Sequence, residues 1–285
     1  MKIANLFVYP IKSCGGISLG ELQLTPAGPV WDRMFVLTDE NGVFLSQRTA
    51  PRMCLIHTDV GDNPNGPPGS VAVFVEAPGM PREFIPLSLG EFFRSGDAGA
   101  FRERSITIHK DTCGGIDLGD HYAEWFTKFL GTPCRLVRQV SRIPRNRKIS
   151  ALANREIKVS FADGYPLLVL SEASLADLNA RIVARGGKAL PMNRFRPNIV
   201  LTDCEPYAED ALDMWGVRHA AIQTVKPCVR CVITVTDQHT AERGKEPLAT
   251  LSTYRKNGDG GVIFGMNCIV EEVGVVRVGD SIETG

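Results

Sequence analysis

The short apolar runs of the first half, and the turns that cut them apart, limit the fold more than any other feature. Ile3–Val8, Leu19–Leu24, Val43–Leu45, Leu55–Val60, Val71–Ala77 and Ser105–His109 are each bounded by polar, Gly or Pro residues. Trp31–Thr38 leads into Asp39-Glu40-Asn41-Gly42, and Asn-Gly is a strong hairpin signal. Residues 62–69, rich in Asn, Pro and Gly, form a surface loop. This spacing predicts a β-barrel or sandwich. Trp31 is expected in its core.

The second half alternates helix and strand. Tyr122, Trp125, Phe126, Phe129 and Leu130 recur on one helical face, with Asp120 as the expected N-cap and Gly131 closing the helix. That aromatic stripe is read as packing. Leu167–Leu170 is a buried strand. Ser171 then caps a helix whose buried side carries Leu175, Leu178 and Ile182. Val275–Ile282 is the last strand, with Gly279-Asp280 making a turn. The predicted class is α+β, mainly β: an N-terminal barrel-like region, then a second β-barrel with peripheral helices.

A formal net charge of zero gives no global pull toward nucleic acid or a membrane surface. No apolar run is long enough to span a bilayer. Met1-Lys2-Ile3-Ala4-Asn5 leads directly into a strand, so no signal or transit segment is expected. The eight dispersed cysteines then fit reduced thiols in the cytoplasm.

Two of those thiols stand close together in Val225–Asp237. Cys228 and Cys231 each follow a cation, in Lys226-Pro227-Cys228 and Arg230-Cys231. Lys and Arg favour the thiolate that binds metals. Pro227 is expected to break regular structure before the thiols, and Val232–Thr236 alternates like a strand. A zinc site would need a second ligand pair, and the five His and the other Cys are scattered singly. A thioredoxin-like dithiol would need a following helix. Two core cysteines remain the plain alternative.

Other loops carry cations as well. Lys12-Ser13-Cys14-Gly15-Gly16 could form an anion nest or a simple turn. Arg33 could pair with Asp32 or touch a ligand. Arg194 and Arg196 precede an apolar strand, and Arg suits bidentate phosphate contact, the alternative being surface pairing with Asp203 or Glu205. The cation-rich stretch Arg138–Arg155 reads as a solvated face that could attract an anion or an acidic partner. If the loops at Lys12, Arg196 and Arg230 converge on Cys231, they make a cationic pocket with one soft ligand. Such a pocket suits a large anionic cofactor that carries a metal.

Several blocks in order carry a family resemblance. They include Val8-Tyr9-Pro10-Ile11-Lys12-Ser13-Cys14, Asp32-Arg33, Leu170–Asn179, Phe195-Arg196-Pro197-Asn198-Ile199-Val200, Cys228-Val229-Arg230-Cys231, Lys245–Leu248 and Phe264–Asn267. Over nearly its whole length the chain resembles the two-part MOSC proteins. These include the mitochondrial amidoxime-reducing components and a bacterial relative that confers resistance to hydroxylaminopurine. The resemblance implies an N-terminal β-barrel region over 1–122 and a MOSC domain over 123–285, with a molybdenum pyranopterin between them. Cys231 is implied as the molybdenum ligand. Lys12, Ser13, Arg33, Arg196 and Asn198 match residues that hold the pterin and its phosphate. Val229, through its backbone, and Arg230 match the loop against the cofactor. Gly164 and Tyr165 stand where eukaryotic members carry hydroxylic residues, which implies backbone contact. Asn267 replaces a family tyrosine. Cys228 is not expected to bind the metal.

The implied activity is detoxifying reduction of hydroxylamines, amidoximes or N-hydroxylated nucleobases to amines. The alternatives are a cofactor carrier or sulfur-transfer module without turnover, and a non-catalytic β-barrel binding protein. The chain ends just after the last strand and has no ferredoxin-type cysteine spacing, so no fused iron–sulfur cluster is expected. A separate ferredoxin- or flavodoxin-type donor is expected instead, with Arg138–Arg155 as its docking surface. Nothing resembles an aminotransferase, so pyridoxal phosphate is not expected, nor is a nucleic-acid or membrane partner.

Overall fold

The largest sheet interleaves strands from both ends of the chain. Its eight strands run in the order Ile17–Leu19, Lys2–Val8, Ile199–Thr202, Leu167–Ser171, Ile263–Glu272, Ala220–Val229, Met214–Val217 and Glu283–Thr284. They belong to a computed structural model that describes residues 1–88, 90, 102–139 and 145–284. The N-terminal strand lies antiparallel to Ile199–Thr202, with Leu6 opposite Ile199. The first residues of the chain are therefore built into the sheet of the second half. Leu167–Ser171 runs parallel to Ile199–Thr202. A parallel pair needs a crossover, and the helix Glu172–Ala184 supplies it. Ser171 Oγ accepts the Ser174 N–H at 3.0 Å, as the capping pattern predicts. Alternation places Leu6, Val8, Val169, Ile199, Leu201, Trp215, Ile222 and Cys268 in one core beside this sheet.

The first half adds a sheet ordered Phe35–Thr38, Arg135–Gln139, Asp111–Asp117, Arg102–Ile108, and another ordered His57–Asp62, Val71–Glu76, Glu83–Pro86. Its hairpin at Asn41-Gly42 forms as expected: Asp39 N–H donates to Val43 O at 2.9 Å. Gly42 has φ +78°, and a Cβ there would meet Ser105 O at 2.2 Å, so only glycine fits. The helix Asp120–Leu130 buries Trp125, Phe126 and Phe129 against Phe35, Leu37, Met53, Val73 and Leu136. It runs through positions 122 and 123 and packs on the N-terminal side. Gly131, with φ +70°, ends it in the left-handed conformation expected of a C-cap glycine.

Several local expectations are corrected. Gly119 is the N-cap and Asp120 the first helical residue, where its carboxylate takes a 2.6 Å bond from Arg135. Trp31 is half-buried with φ +71°, not core. Pro227 does not end its strand, which continues to Val229 with Pro227 opposite Met266. Bulges there let the strand bend without a ladder bond from proline. Val232–Val235 is a 3₁₀ turn that buries Thr234 and Val235, not a strand.

The Arg138–Arg155 stretch is the solvated face expected of it only in part: among the described residues Lys148 and Arg155 are exposed. Arg138 and Arg145 are buried. Asp111 takes Arg145 at 2.6 Å and Arg147 at 2.8 Å, and Glu271 takes Arg155 at 2.6 Å. Arg142 lies outside the described residues.

Candidate functional site

All eleven residues singled out by the resemblance line one cleft. Strands of the large sheet and the loops attached to them deliver ten of these, and Arg33 comes from the turn before Phe35–Thr38 of the four-stranded sheet. Lys12 and Ser13 follow Lys2–Val8; Gly164 and Tyr165 precede Leu167–Ser171; Arg196 and Asn198 precede Ile199–Thr202. Val229 ends the strand Ala220–Val229, Arg230 and Cys231 follow it, and Asn267 projects from Ile263–Glu272.

The charge of the cleft is lopsided. Lys12, Arg33, Arg48, Arg194, Arg196 and Arg230 line it, with Asp163 as the carboxylate among the lining residues. Asp32 and Asp237 neutralise part of the excess from behind. Asp32 is buried; it receives Arg33 Nη1 at 2.6 Å, Tyr9 N–H at 2.9 Å and Asn198 Nδ2 at 3.1 Å. Asp237 receives Arg194 Nη2 at 2.6 Å. The guanidiniums of Arg33 and Arg196 both lie over the Tyr9 ring, at 4.4 and 4.2 Å. Desolvation and the neighbouring Arg33 pull the Arg196 pKa down to about 10. Lys12 Nζ donates to Phe161 O at 2.8 Å and closely to Asp163 Oδ1. Burial brings Lys12 down to about 8, against the pull of Asp163. Desolvation acts to raise Asp163, yet Lys12, His109 and Arg48 hold it well below the usual carboxylate range.

Four buried nitrogens of these cations have no protein partner: Arg48 Nη1, Arg194 Nε, Arg196 Nη2 and Arg230 Nε. Buried N–H groups are rarely left unpaired, because each costs about 1–3 kcal/mol. Clustered like charges add to that cost. An anionic ligand with several oxygen acceptors would relieve both.

The thiols sit at the same cleft. Arg48 Nη2 donates to Cys231 Sγ at 3.3 Å, and Arg230 Nη1 to Cys228 Sγ at 2.9 Å. Arg230 also donates to Phe195 O at 2.5 Å, and its backbone N–H to Val262 O at 2.7 Å, which anchors the loop. Among the described residues no three His, Cys, Asp or Glu side chains stand together as a metal cage. A metal at Cys231 would draw its remaining ligands from a cofactor. The donor set fits a soft metal brought in by a polyanionic carrier.

Two of the expected contacts brace the cleft. Asn198 is 1% exposed; its Nδ2 donates to Phe7 O and Asp32, and its Oδ1 accepts Leu168 N–H at 3.2 Å. Asn267 Nδ2 donates to Pro227 O at 3.3 Å and so steadies the strand before the thiols. Ser13 is buried, and Gly164 has nothing within 4 Å of a built Cβ. Tyr165 carries Lys226 Nζ 5.5 Å over its ring, and Val229 stands 53% exposed at the rim.

Comparison with known proteins identifies the family. The family model of the MOSC N-terminal beta barrel domain matches residues 1–133, and that of the MOSC domain matches residues 156–283. The mitochondrial amidoxime reducing component 2 of Rattus norvegicus is 33% identical over 98% of this chain and 82% of its own length. The chain belongs to the MOSC family. Human mitochondrial amidoxime-reducing component 1 is 31% identical over 98% of the chain and 82% of its own length. The molybdenum cofactor sulfurase of Danio rerio is 30% identical over 93% of the chain but only 31% of its own length. Three contributors to this MOSC cleft escaped the sequence reading as site residues: Arg48, Asp163 and Arg194. Arg194 was visible as a cation before an apolar strand, and Asp163 stands next to Gly164. Arg48 was not visible, because its partner Cys231 is 183 positions away.

Proposed function

We propose that the chain is a molybdenum-cofactor-dependent reductase of N-hydroxylated compounds. The observation that carries the reading is Cys231, set among guanidiniums whose buried nitrogens lack partners. When bound, the cofactor supplies two-electron removal of oxygen from an N–O bond. The overall change consumes two electrons and two protons and releases the amine and water. Cys231 Sγ would hold the metal. Lys12, Arg33, Arg196 and Arg230 would neutralise the pterin and its phosphate, and Arg is suited to that contact. Asn198 keeps Arg33 and Asp32 in register, and Asn267 steadies the thiol loop. Tyr165 and Val229 would form the edge that a substrate meets.

Electrons would come from a separate ferredoxin- or flavodoxin-type protein in the cytoplasm. With Arg145 buried, the exposed Lys148 and Lys158 of the hairpin Arg145–Val159 would meet it, beside the exposed but Glu271-paired Arg155. The test uses the chain made in a cofactor-competent host. Benzamidoxime and a chemical reductant should give benzamidine. Molybdenum without turnover would favour a carrier, a reading supported by the sulfurase likeness. A chain free of molybdenum would overturn both.

A further inference from the structure

Arg48 stands outside the blocks that carry the family resemblance, yet it reaches the centre of the cleft. Its Nη2 lies 3.3 Å from Cys231 Sγ and 3.6 Å from Asp163 Oδ2. Its Nη1 is one of the buried nitrogens without a partner. One guanidinium edge therefore touches the sulfur, while another donor is left over beside it.

The turn that carries Arg48 is pinned on both sides. Ser46 O accepts the N–H groups of Thr49 at 3.0 Å and Ala50 at 2.8 Å. Arg243 Nη2 donates to the carbonyls of Gln47 and Arg48 at 2.6 and 2.7 Å. Buried Gln47 donates to Ser13 O at 2.8 Å and to Gln238 Oε1 at 3.2 Å. Gln238 donates in turn to Thr236 O at 3.0 Å, at the end of the 3₁₀ turn that Cys231 opens. The backbone of Arg48 and the turn of Cys231 are thus tied by one buried amide pair. Neither can shift without breaking bonds that have no solvent to replace them.

We infer that Arg48 is a positioning residue: it fixes the direction in which Cys231 Sγ faces the cleft and presents Nη1 to an oxygen of whatever anion binds beside that sulfur. The inference rests on the reading of Cys231 as a molybdenum ligand. An N–H···S bond withdraws charge from a ligating sulfur, and such bonds tune the potential and spectrum of the metal they serve. Lysine would keep the charge at this site but lose the planar fork that spans sulfur and a second acceptor. The role is therefore one of geometry as well as charge.

The test compares wild type with R48M and R48K, all full-length and made in a cofactor-competent host. Molybdenum content, the spin-resonance spectrum of the half-reduced centre, kcat and KM are read together. R48M should shift the spectrum and lower kcat by roughly 10- to 100-fold, the range for outer-shell partners of a metal ligand, with KM within about threefold. R48K should recover part of kcat while its spectrum stays shifted. Should R48M fail to fold, R48Q, which keeps a donor without the charge, is read the same way. A molybdenum-loaded R48M or R48Q with the wild-type spectrum and kcat overturns this inference alone. Wild-type chain without molybdenum overturns the parent reading and this one with it.

Discussion

Arg145 and Arg196 are both desolvated arginines, and they use their donors in opposite ways. Arg145 is 1% exposed; its Nε and Nη2 reach Asp111 at 3.0 and 2.6 Å, Nη2 also meets Asp163 O at 2.9 Å, and Nη1 meets Ala162 O. Every nitrogen of that side chain has a partner within the fold. Arg196 donates through Nη1 to Cys14 O at 2.6 Å and leaves Nη2 buried and unpartnered. Its φ of +57° is also a conformation that a β-sheet residue would avoid. Charge alone does not mark a site, since both regions are rich in cations. What separates the two side chains is whether the fold completes their hydrogen bonds. It does so for Arg145, although Arg147 Nε in the same hairpin has no partner, and at Arg196 it leaves Nη2 unused beside the cleft.

The sharpest break in that comparison comes at the thiol. Cys231→Ser replaces a soft ligand with a hard one, and reductase activity should fall at least ~100-fold, beyond the usual outer-shell loss. Cys228→Ala should leave kcat within about twofold, because that thiol bonds only its own loop. Equal losses in the two variants, measured with benzamidoxime, would contradict the assignment of the ligand.

Next come the two arginines. Arg145→Ala should destabilise the chain by about 3 kcal/mol in urea unfolding, because it breaks a buried ion pair. Arg196→Met keeps most of the stem and removes a charge from a crowded cluster. The cofactor-free chain should change by less than about 1 kcal/mol, while cofactor retention falls roughly tenfold. The opposite ranking in the unfolding experiment would erase the distinction between the regions.

The smallest expected effect is a pH dependence. Lys12 is brought from 10.5 down to about 8 by burial. Between those values the unfolded chain holds the proton that the folded chain has lost, so this group makes stability rise with pH from about 8 to 10.5. Ligand binding runs the other way. An anion that needs the ammonium should bind more weakly as pH climbs past about 8, and Lys12→Met should remove that step. A titration of phosphate binding, flat across this range in wild type, would deny Lys12 a part in anion binding.

The fold was legible where local chemistry decides it. Asn41-Gly42, Ser171 and Gly131 each force one backbone outcome, and each forms as read. The thiol turn was misread because Thr234 and Thr236 alternate with the apolar Ile233 and Val235, while tertiary packing buries Thr234 and Val235 in a tighter turn. The pairing of arginines in the Arg138–Arg155 stretch was hidden because their acids, Asp111 and Glu271, lie 34 and 116 positions from Arg145 and Arg155. Arg48 was missed for the same reason. Family blocks named eleven residues that the fold brings to one cleft, since motifs preserve what separation in sequence hides. They are silent on a loop arginine whose partners are assembled only by the fold.

The most direct test is the metal itself. Wild-type chain from a cofactor-competent host, and Cys231→Ser made in parallel, should be assayed for molybdenum by elemental analysis. The account predicts close to one molybdenum per chain in wild type and a severe loss in the variant, with the fold intact by circular dichroism. Equal molybdenum in both chains, or none in wild type, would contradict it.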